Sequence, residues 1–291
     1  MKYAMRCLTM VAGLLLDVSC FAQSSVDTLG SYFLDETQRT LHSTLYGVGT
    51  SNVLDTYLSP YNYTGIDVRL MRETMRPTHL AHGHIHYQTF IDLDGGYLRN
   101  RTQNVHEWVA GVRYANAWMY QFVSMESGAA TGGMPSYMMP GAFNLYAGLQ
   151  PSAYLGGIYN TRNGNNPAQA KFDIMVNATA MAEYNLRLFH HVFPVRYQLT
   201  IPLLGAAFSM NYGQSYYECF CLGDYDHNVV FANIINMPSM RHLLTLDIPI
   251  RRNFLRVGWS GEFNQAKFNG LRYHSFSNNF MIGFTKYFYR K

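Results

Sequence analysis

The sequence predicts an all-β protein, an antiparallel transmembrane β-barrel. Three observations carry that prediction: one long strand of strict alternation, a composition rich in aromatic residues and poor in charge, and the lack of any apolar run long enough for a membrane helix. From Lys171 to Leu188 the even positions Phe172, Ile174, Val176, Ala178, Ala180, Ala182, Tyr184, Leu186 and Leu188 are all apolar. The odd positions include Lys171, Asp173, Asn177, Thr179, Glu183, Asn185 and Arg187. Period two places these sets on opposite faces of a strand. Such a strand crosses a bilayer in about 9–11 residues, so this one crosses and still projects into water. A soluble sandwich, the competing architecture, rarely makes strands of this length. Aromatic residues make up 15% of the chain, with 23 Tyr and 18 Phe, against 14% charged residues, as the aromatic girdles of a barrel require. Past the N-terminus no stretch approaches about 18 uninterrupted apolar residues, the least a transmembrane helix needs.

The elements follow in chain order. Lys2 and Arg6 precede an apolar Leu8–Leu16 segment and a Cys20-Phe21-Ala22 cleavage site before Gln23, the pattern of a secretory signal peptide over residues 1–22. Acylation of Cys20 is the alternative, opposed by Asp17 where a lipoprotein signal carries an aliphatic residue. Residues 23–38 read as a short periplasmic segment and 39–291 as the barrel. Alternation between turn signals gives twelve strands: Arg39–Gly49, Tyr63–Thr74, Leu80–Leu93, Asn104–Ala115, Ala117–Met125, Gly141–Leu149, Ala153–Thr161, Ala170–Leu188, Val192–Tyr212, Ser239–Ile250, Asn253–Gln265 and Arg272–Tyr289. With twelve, every long connection, including Glu126–Pro140 and Gly213–Pro238, falls on the outer side, as bacterial barrels arrange them. Ten strands is the alternative; it fuses Asn104–Met125 and Gly141–Thr161 and moves Glu126–Pro140 to the periplasmic side. Tyr287-Phe288-Tyr289 suits recognition by the barrel assembly machinery, although Arg290-Lys291 follow it.

The signal peptide, the Lys171–Leu188 strand after Asn163-Gly164-Asn165-Asn166-Pro167-Ala168, and the closing run Tyr273–Phe284 resemble a family of Bacteroidota outer-membrane barrel proteins. That resemblance implies a location in the outer membrane and no particular activity.

The predicted inward faces carry Asp67, Arg69, Glu73, Glu107, Arg113, Asp173, Glu183, Arg187, Arg256 and Glu262. Mixed charges there either pair into a plug or line a polar path, so the first expectation is a non-enzymatic passage or binding barrel for a small polar or amphipathic ligand. His82, His84 and His86, read as one strand face, offer weak metal-ligand spacing without a closed ligand set. His274 with Ser275 and Ser277 loosely resembles the His-x-Ser-Asn pattern of outer-membrane phospholipase A and lipid A deacylase, although both serines fall on the opposite face of a regular strand. A lipid hydrolase is therefore the second expectation. A structural or surface-interaction barrel working through its outer loops, above all Gly213–Pro238, is the third. The net charge of +4 is scattered along the chain, which argues against nucleic acid as a partner. Outer-membrane lipid, the assembly machinery and a small-molecule ligand are the expected partners, with no cofactor and a monomeric state. Cys219 and Cys221 could form only a strained Cys-x-Cys disulfide. Asp224 and Asp226 read as a solvated acidic turn.

Overall fold

The computed structural model describes residues 39–125, 140–164, 166–188, 191–250 and 253–289; the predicted signal peptide and the 23–38 segment lie outside them. Strands β1 (Arg39–Asp55), β2 (Tyr63–Pro77), β3 (Ile85–Asn100), β4 (His106–Met125), β5 (Phe143–Asn160), β6 (Ala168–Leu188) and β7 (His191–Phe208) pair each with the next, all antiparallel. A short helix α1 (Tyr216–Phe220) and a short strand β8 (Val229–Asn233) follow, then β9 (Met240–Ile250), β10 (Asn253–Phe268) and β11 (Leu271–Tyr289). The lower part of β7 pairs with β9 and its upper part with β8, while β11 pairs with β1 along its full length. The result is a closed ring of ten strands with β8 as an extra piece on the β7 edge.

The twelve-strand prediction is corrected to ten. The corner predicted at Ala115-Asn116-Ala117 and the turn at Gln150-Pro151-Ser152 do not exist, and β4 and β5 run straight through them. Ala115 and Ala117 both face inward and are fully buried. The register Ala115↔Ser152 resumes in phase at Trp118↔Leu149. Proline lacks an N–H and interrupts a ladder locally, but Pro151 still lies opposite Val176 with the alternation unbroken on both sides. Met125 and Phe143 therefore both lie at the end of the barrel that holds Arg39 and Tyr289, the lower end, and the predicted Glu126–Pro140 loop falls, but for Pro140, outside the described residues; the β1–β2, β3–β4, β5–β6 and β10–β11 connections lie at the upper end.

The alternation sorts charge with little exception. Every carboxylate on a described strand has inward parity, while the outward face carries exposed apolar residues such as Val68, Leu93, Ile174, Phe280 and Phe284. Outward cations sit toward the two ends: Arg72, Arg76 and Lys286 below, Arg99, Lys267 and Arg272 above. Trp108 and Trp118 face outward on β4, ten residues apart, matching the length with which a strand crosses hydrocarbon. Trp108 packs on Tyr97 at 4.6 Å and Trp118 on Tyr87 at 5.2 Å, so each end of the band has an aromatic pair of the kind that marks a water–lipid boundary. No helix of the described residues is long and apolar enough to cross a membrane.

Two glycines let the β1–β11 seam close. A Cβ on Gly49 would lie 1.8 Å from the Asn278 carbonyl oxygen, and one on Gly283 would lie 1.9 Å from that of Thr44. Only a residue without a side chain permits that approach of backbones.

The strand predicted to run to Tyr212 stops at Phe208, and residues 209–228, most of them within the predicted Gly213–Pro238 outer loop, fold over the upper mouth. Ser215 and Glu218 form a capping box that starts α1, which satisfies the first N–H groups of the helix reciprocally. The Tyr216 hydroxyl donates to Gln169 Oε1 at 2.8 Å and accepts the Ala170 N–H at 2.6 Å, and the Tyr57 hydroxyl donates to the Gln214 carbonyl at 2.9 Å. Burial pushes both phenols up to about 12, so both stay protonated donors at any physiological pH. Cys219 is buried beneath this fold and Cys221 is exposed; both are free thiols, so the disulfide weighed from sequence does not form.

Gly283→Ala is expected to cost about 1–3 kcal/mol or more through backbone collision and to deplete the heat-modifiable band on unboiled gels. Gly95→Ala, where the nearest atom is Val68 Cγ2 at 3.6 Å, is expected to leave that band unchanged. Tyr216→Phe removes both bonds that fix α1 to β6; proteinase K is expected to nick the Ser209–Asn228 segment faster while the barrel core stays resistant.

Candidate functional site

The inward ladder converges into two layers of ion pairs. In the lower layer Glu73 on β2 accepts from Arg196 on β7 and from Arg256 Nη1 on β10 at 3.0 Å. Gln88 donates to the other Glu73 oxygen at 2.7 Å. Arg256 also grips Asp247 on β9 with two parallel bonds of 2.5 and 2.6 Å, the fork geometry that only guanidinium offers a carboxylate. Gln88 on β3 and Gln198 on β7 exchange amide hydrogen bonds of 3.0 and 2.9 Å across the lumen.

In the upper layer Glu262 on β10 accepts from Arg69 on β2 at 2.8 Å and from Arg113 on β4. Asp92 on β3 meets Arg69 at 3.4 Å and Arg241 on β9 at 3.2 Å. Asn279 donates to Asp67 at 2.6 Å, and the Arg113 guanidinium lies 4.8 Å over the Tyr154 ring. Nearer the mouth Lys171 pairs with Asp55 at 2.6 Å, and Asn160 donates to Glu107 at 2.9 Å.

Four of these pairs span the barrel from wall to wall. Glu73–Arg196 joins β2 to β7, Asp92–Arg241 joins β3 to β9, Arg113–Glu262 joins β4 to β10, and nearer the upper mouth Lys171–Asp55 joins β6 to β1. In each case the partner strand lies five places round the ring of ten, diametrically opposite. A ring of this size is narrow enough for an arginine and a carboxylate together to reach across it. The Glu73 side chain is 0% and that of Arg256 2% exposed, so both charges are withdrawn from bulk solvent. Burying such charges is offset only by pairing them with good geometry. The lower layer achieves this: none of the buried polar atoms of Glu73, Gln88, Arg196, Gln198, Asp247 or Arg256 lacks a hydrogen-bond partner. In the upper layer Arg69 Nε, Asp92 Oδ1, Arg113 Nε and Asp173 Oδ1 have none. The lower layer is the tighter seal.

Of the lining residues predicted from sequence, Asp67, Arg69, Glu73, Glu107, Arg113, Asp173, Glu183, Arg256 and Glu262 all face the interior. Arg187 has inward parity but lies at the exposed lower end of β6, outside both layers. Sequence reasoning missed Arg196, Arg241 and Asp247 as lining. Their parity was readable, but Pro194, Pro202 and Pro249 interrupt the strands that carry them.

The three histidines do not share a strand face, which corrects the reading of Leu80–Leu93 as one strand. A 3-10 turn, Leu80–Gly83, with left-handed Ala81, His82 and Gly83 delays β3 to Ile85. Only His86 belongs to the strand; its ring packs edge-on to Tyr146 at 4.9 Å, while His84 packs on Tyr120 at 5.9 Å. All three line a cavity of about 260 Å³ at the lower mouth. Among the described residues no group of three or more His, Cys, Asp or Glu has a metal-holding arrangement.

The register of β11 with β1 and β10 is unbroken, so no bulge turns His274 toward the serines. His274 points outward, bonds Asn52 Oδ1 at 2.8 Å and stacks on Phe276 at 4.7 Å. Ser275 and Ser277 point inward, where Ser277 accepts from Arg69 at 3.3 Å. The hydrolase dyad is not assembled. Asp224 and Asp226 lie exposed in the upper loop, where Asp226 pairs with His227.

The family described as "Protein of unknown function (DUF3316)" matches residues 7–291. No curated protein matches the chain. Among solved structures, the transport unit of the autotransporter AIDA-I from Escherichia coli is similar at 9% identity and a TM-score of 0.40, covering 94% of this chain and 96% of that one. The translocator domain of autotransporter NalP from Neisseria meningitidis is similar at 10% identity and 0.39, covering 98% and 97%. An outer membrane channel from Pseudomonas putida F1 is similar at 9% identity and 0.36, covering 91% and 100%.

Glu73→Gln leaves two buried guanidinium groups short of a counter-charge and is expected to lower the unfolding free energy by about 3–5 kcal/mol, read by urea titration in micelles. Arg187→Gln at the exposed rim is expected to change it by less than about 0.5 kcal/mol.

Proposed function

The chain belongs to the DUF3316 family, and we propose that it is an outer-membrane barrel that binds a polar ligand at its mouth, its lumen closed to free diffusion. The observation that carries this reading is the set of four ion pairs that cross the lumen from wall to wall. A passage barrel keeps an aqueous path lined by charges that do not meet; here they meet. The membrane location rests on the outward apolar face and on the Trp108–Trp118 spacing, which suit hydrocarbon bounded by two interfaces. Lipid of the outer membrane is then the partner of the whole outer wall, and the aromatic end of β11 is the segment offered to the assembly machinery. Its geometry suits a single chain, since the ring closes on itself and leaves no long sheet edge for another copy. Hydrolysis is disfavoured because His274 and the two serines occupy opposite faces of one strand.

The test is single-channel recording of the refolded barrel in a planar bilayer, with a heat-shift gel confirming the fold. The expected record is silent. Discrete, salt-dependent steps from the wild-type protein would overturn the closed-lumen reading and restore passage.

A further inference from the structure

Between the β1–β2, β3–β4 and β5–β6 connections at the upper mouth lies an open cleft of about 840 Å³, within the range of small-ligand sites. Its frame is held before any ligand arrives. The Asn160 amide donates to the Tyr63 hydroxyl at 3.0 Å, which in turn donates to Ser59 Oγ at 3.2 Å. Asn163 Nδ2 reaches across to the Leu58 carbonyl at 3.2 Å, and Asn100 Oδ1 accepts the N–H groups of Asn104 and Val105 at 3.1 and 3.2 Å. These bonds tie the first connection to the third and fix the shape of the second.

The cleft differs from the lumen beneath it in charge. Arg101 and Arg162 line it, both exposed, and neither guanidinium has an ion pair or side-chain hydrogen bond among the described residues. No carboxylate lines it, whereas the buried arginines of the two lumen layers all have carboxylate partners. Tyr61, 66% exposed, lines the same cleft as the two arginines, and side-chain amides and hydroxyls make up much of the remaining wall.

We propose that this cleft binds a saccharide carrying a carboxylate or phosphate group. The guanidinium groups match the anion, the Tyr61 face suits the C–H face of a sugar ring, and amides such as Asn62, which both donate and accept, suit its hydroxyls. The proposal rests on the mouth-binding reading above and names the ligand class. The acidic saccharide has two sources with the same chemistry, a free oligosaccharide and the sugar of an outer-membrane glycolipid.

Calorimetry on the folded barrel in micelles separates them. Digalacturonic acid, neutral galactobiose and purified lipopolysaccharide serve as probes for wild type and for Arg101→Gln/Arg162→Gln, with a heat-shift gel showing the variant folded. Digalacturonic acid is expected to bind at least about tenfold more tightly than galactobiose, a difference of about 1.4 kcal/mol, and to lose that margin in the variant and at high salt. Variant-sensitive binding of lipopolysaccharide alone would assign the same site to lipid-linked sugar. Equal binding of acidic and neutral disaccharides, binding unaffected by the two substitutions, or no binding of any probe would overturn the proposal. Conductance is independent of all three outcomes: a conducting barrel with charge-dependent saccharide binding sinks the closed lumen and leaves this site standing.

Discussion

Everything inside this barrel depends on arginine and carboxylate side chains being long enough, together, to reach from one wall to the opposite one. Ten strands set a width at which Arg113 on β4 touches Glu262 on β10, and Glu73 on β2 touches Arg196 on β7. At eight strands side chains fill the interior anyway, and at sixteen they leave an aqueous channel. At ten, pairing is the arrangement by which buried charges of both signs avoid a desolvation penalty of several kcal/mol each. The outer wall is then free of carboxylates and largely apolar at mid-height, because every described strand carboxylate has been turned inward.

Much of this was legible in the sequence because parity in a strand is a two-valued property. Lys171–Leu188 announced its inner and outer faces without ambiguity, and β6 has those bounds to within three residues. The same parity placed Glu73, Arg256 and Glu262 inside. The strand count was harder, since Pro151 reads as a turn in one dimension although it costs a paired strand only one donor. The histidine run was harder still: three imidazoles at spacing two imitate a strand face, while the left-handed Ala81 and His82 that break it carry no compositional mark. What no parity rule could supply was the pairing across the lumen, because which arginine meets which acid depends on ring size and register together.

Closing the middle of the barrel moves its chemistry to its ends, and the two ends are unlike. The lower mouth is walled by strand residues and by the histidine-bearing turn before β3. The upper mouth is divided between a covered half, where the segment 209–228 is fastened to β6 and to Tyr57, and an open half, where asparagine side chains tie the first connection to the third and hold the shape of the second. Strands β2 and β6, of 15 and 21 residues, are longer than the roughly 9–11 residues with which a strand crosses a bilayer.

The wall-to-wall pairs also bear on how such a ring can form. Glu73 and Arg196 are 123 positions apart in the chain, and Arg113 and Glu262 are 149 apart, so no local hairpin can satisfy either. Until the ring is nearly complete the wall-to-wall charges have no partner, whereas Arg256–Asp247 and Arg69–Asp92 can already pair between neighbouring strands. Once β11 meets β1, opposite walls come within reach and the charges are neutralised together. Closure of the ring therefore brings these distant charges together in one event, and contacts this distant in sequence form slowly.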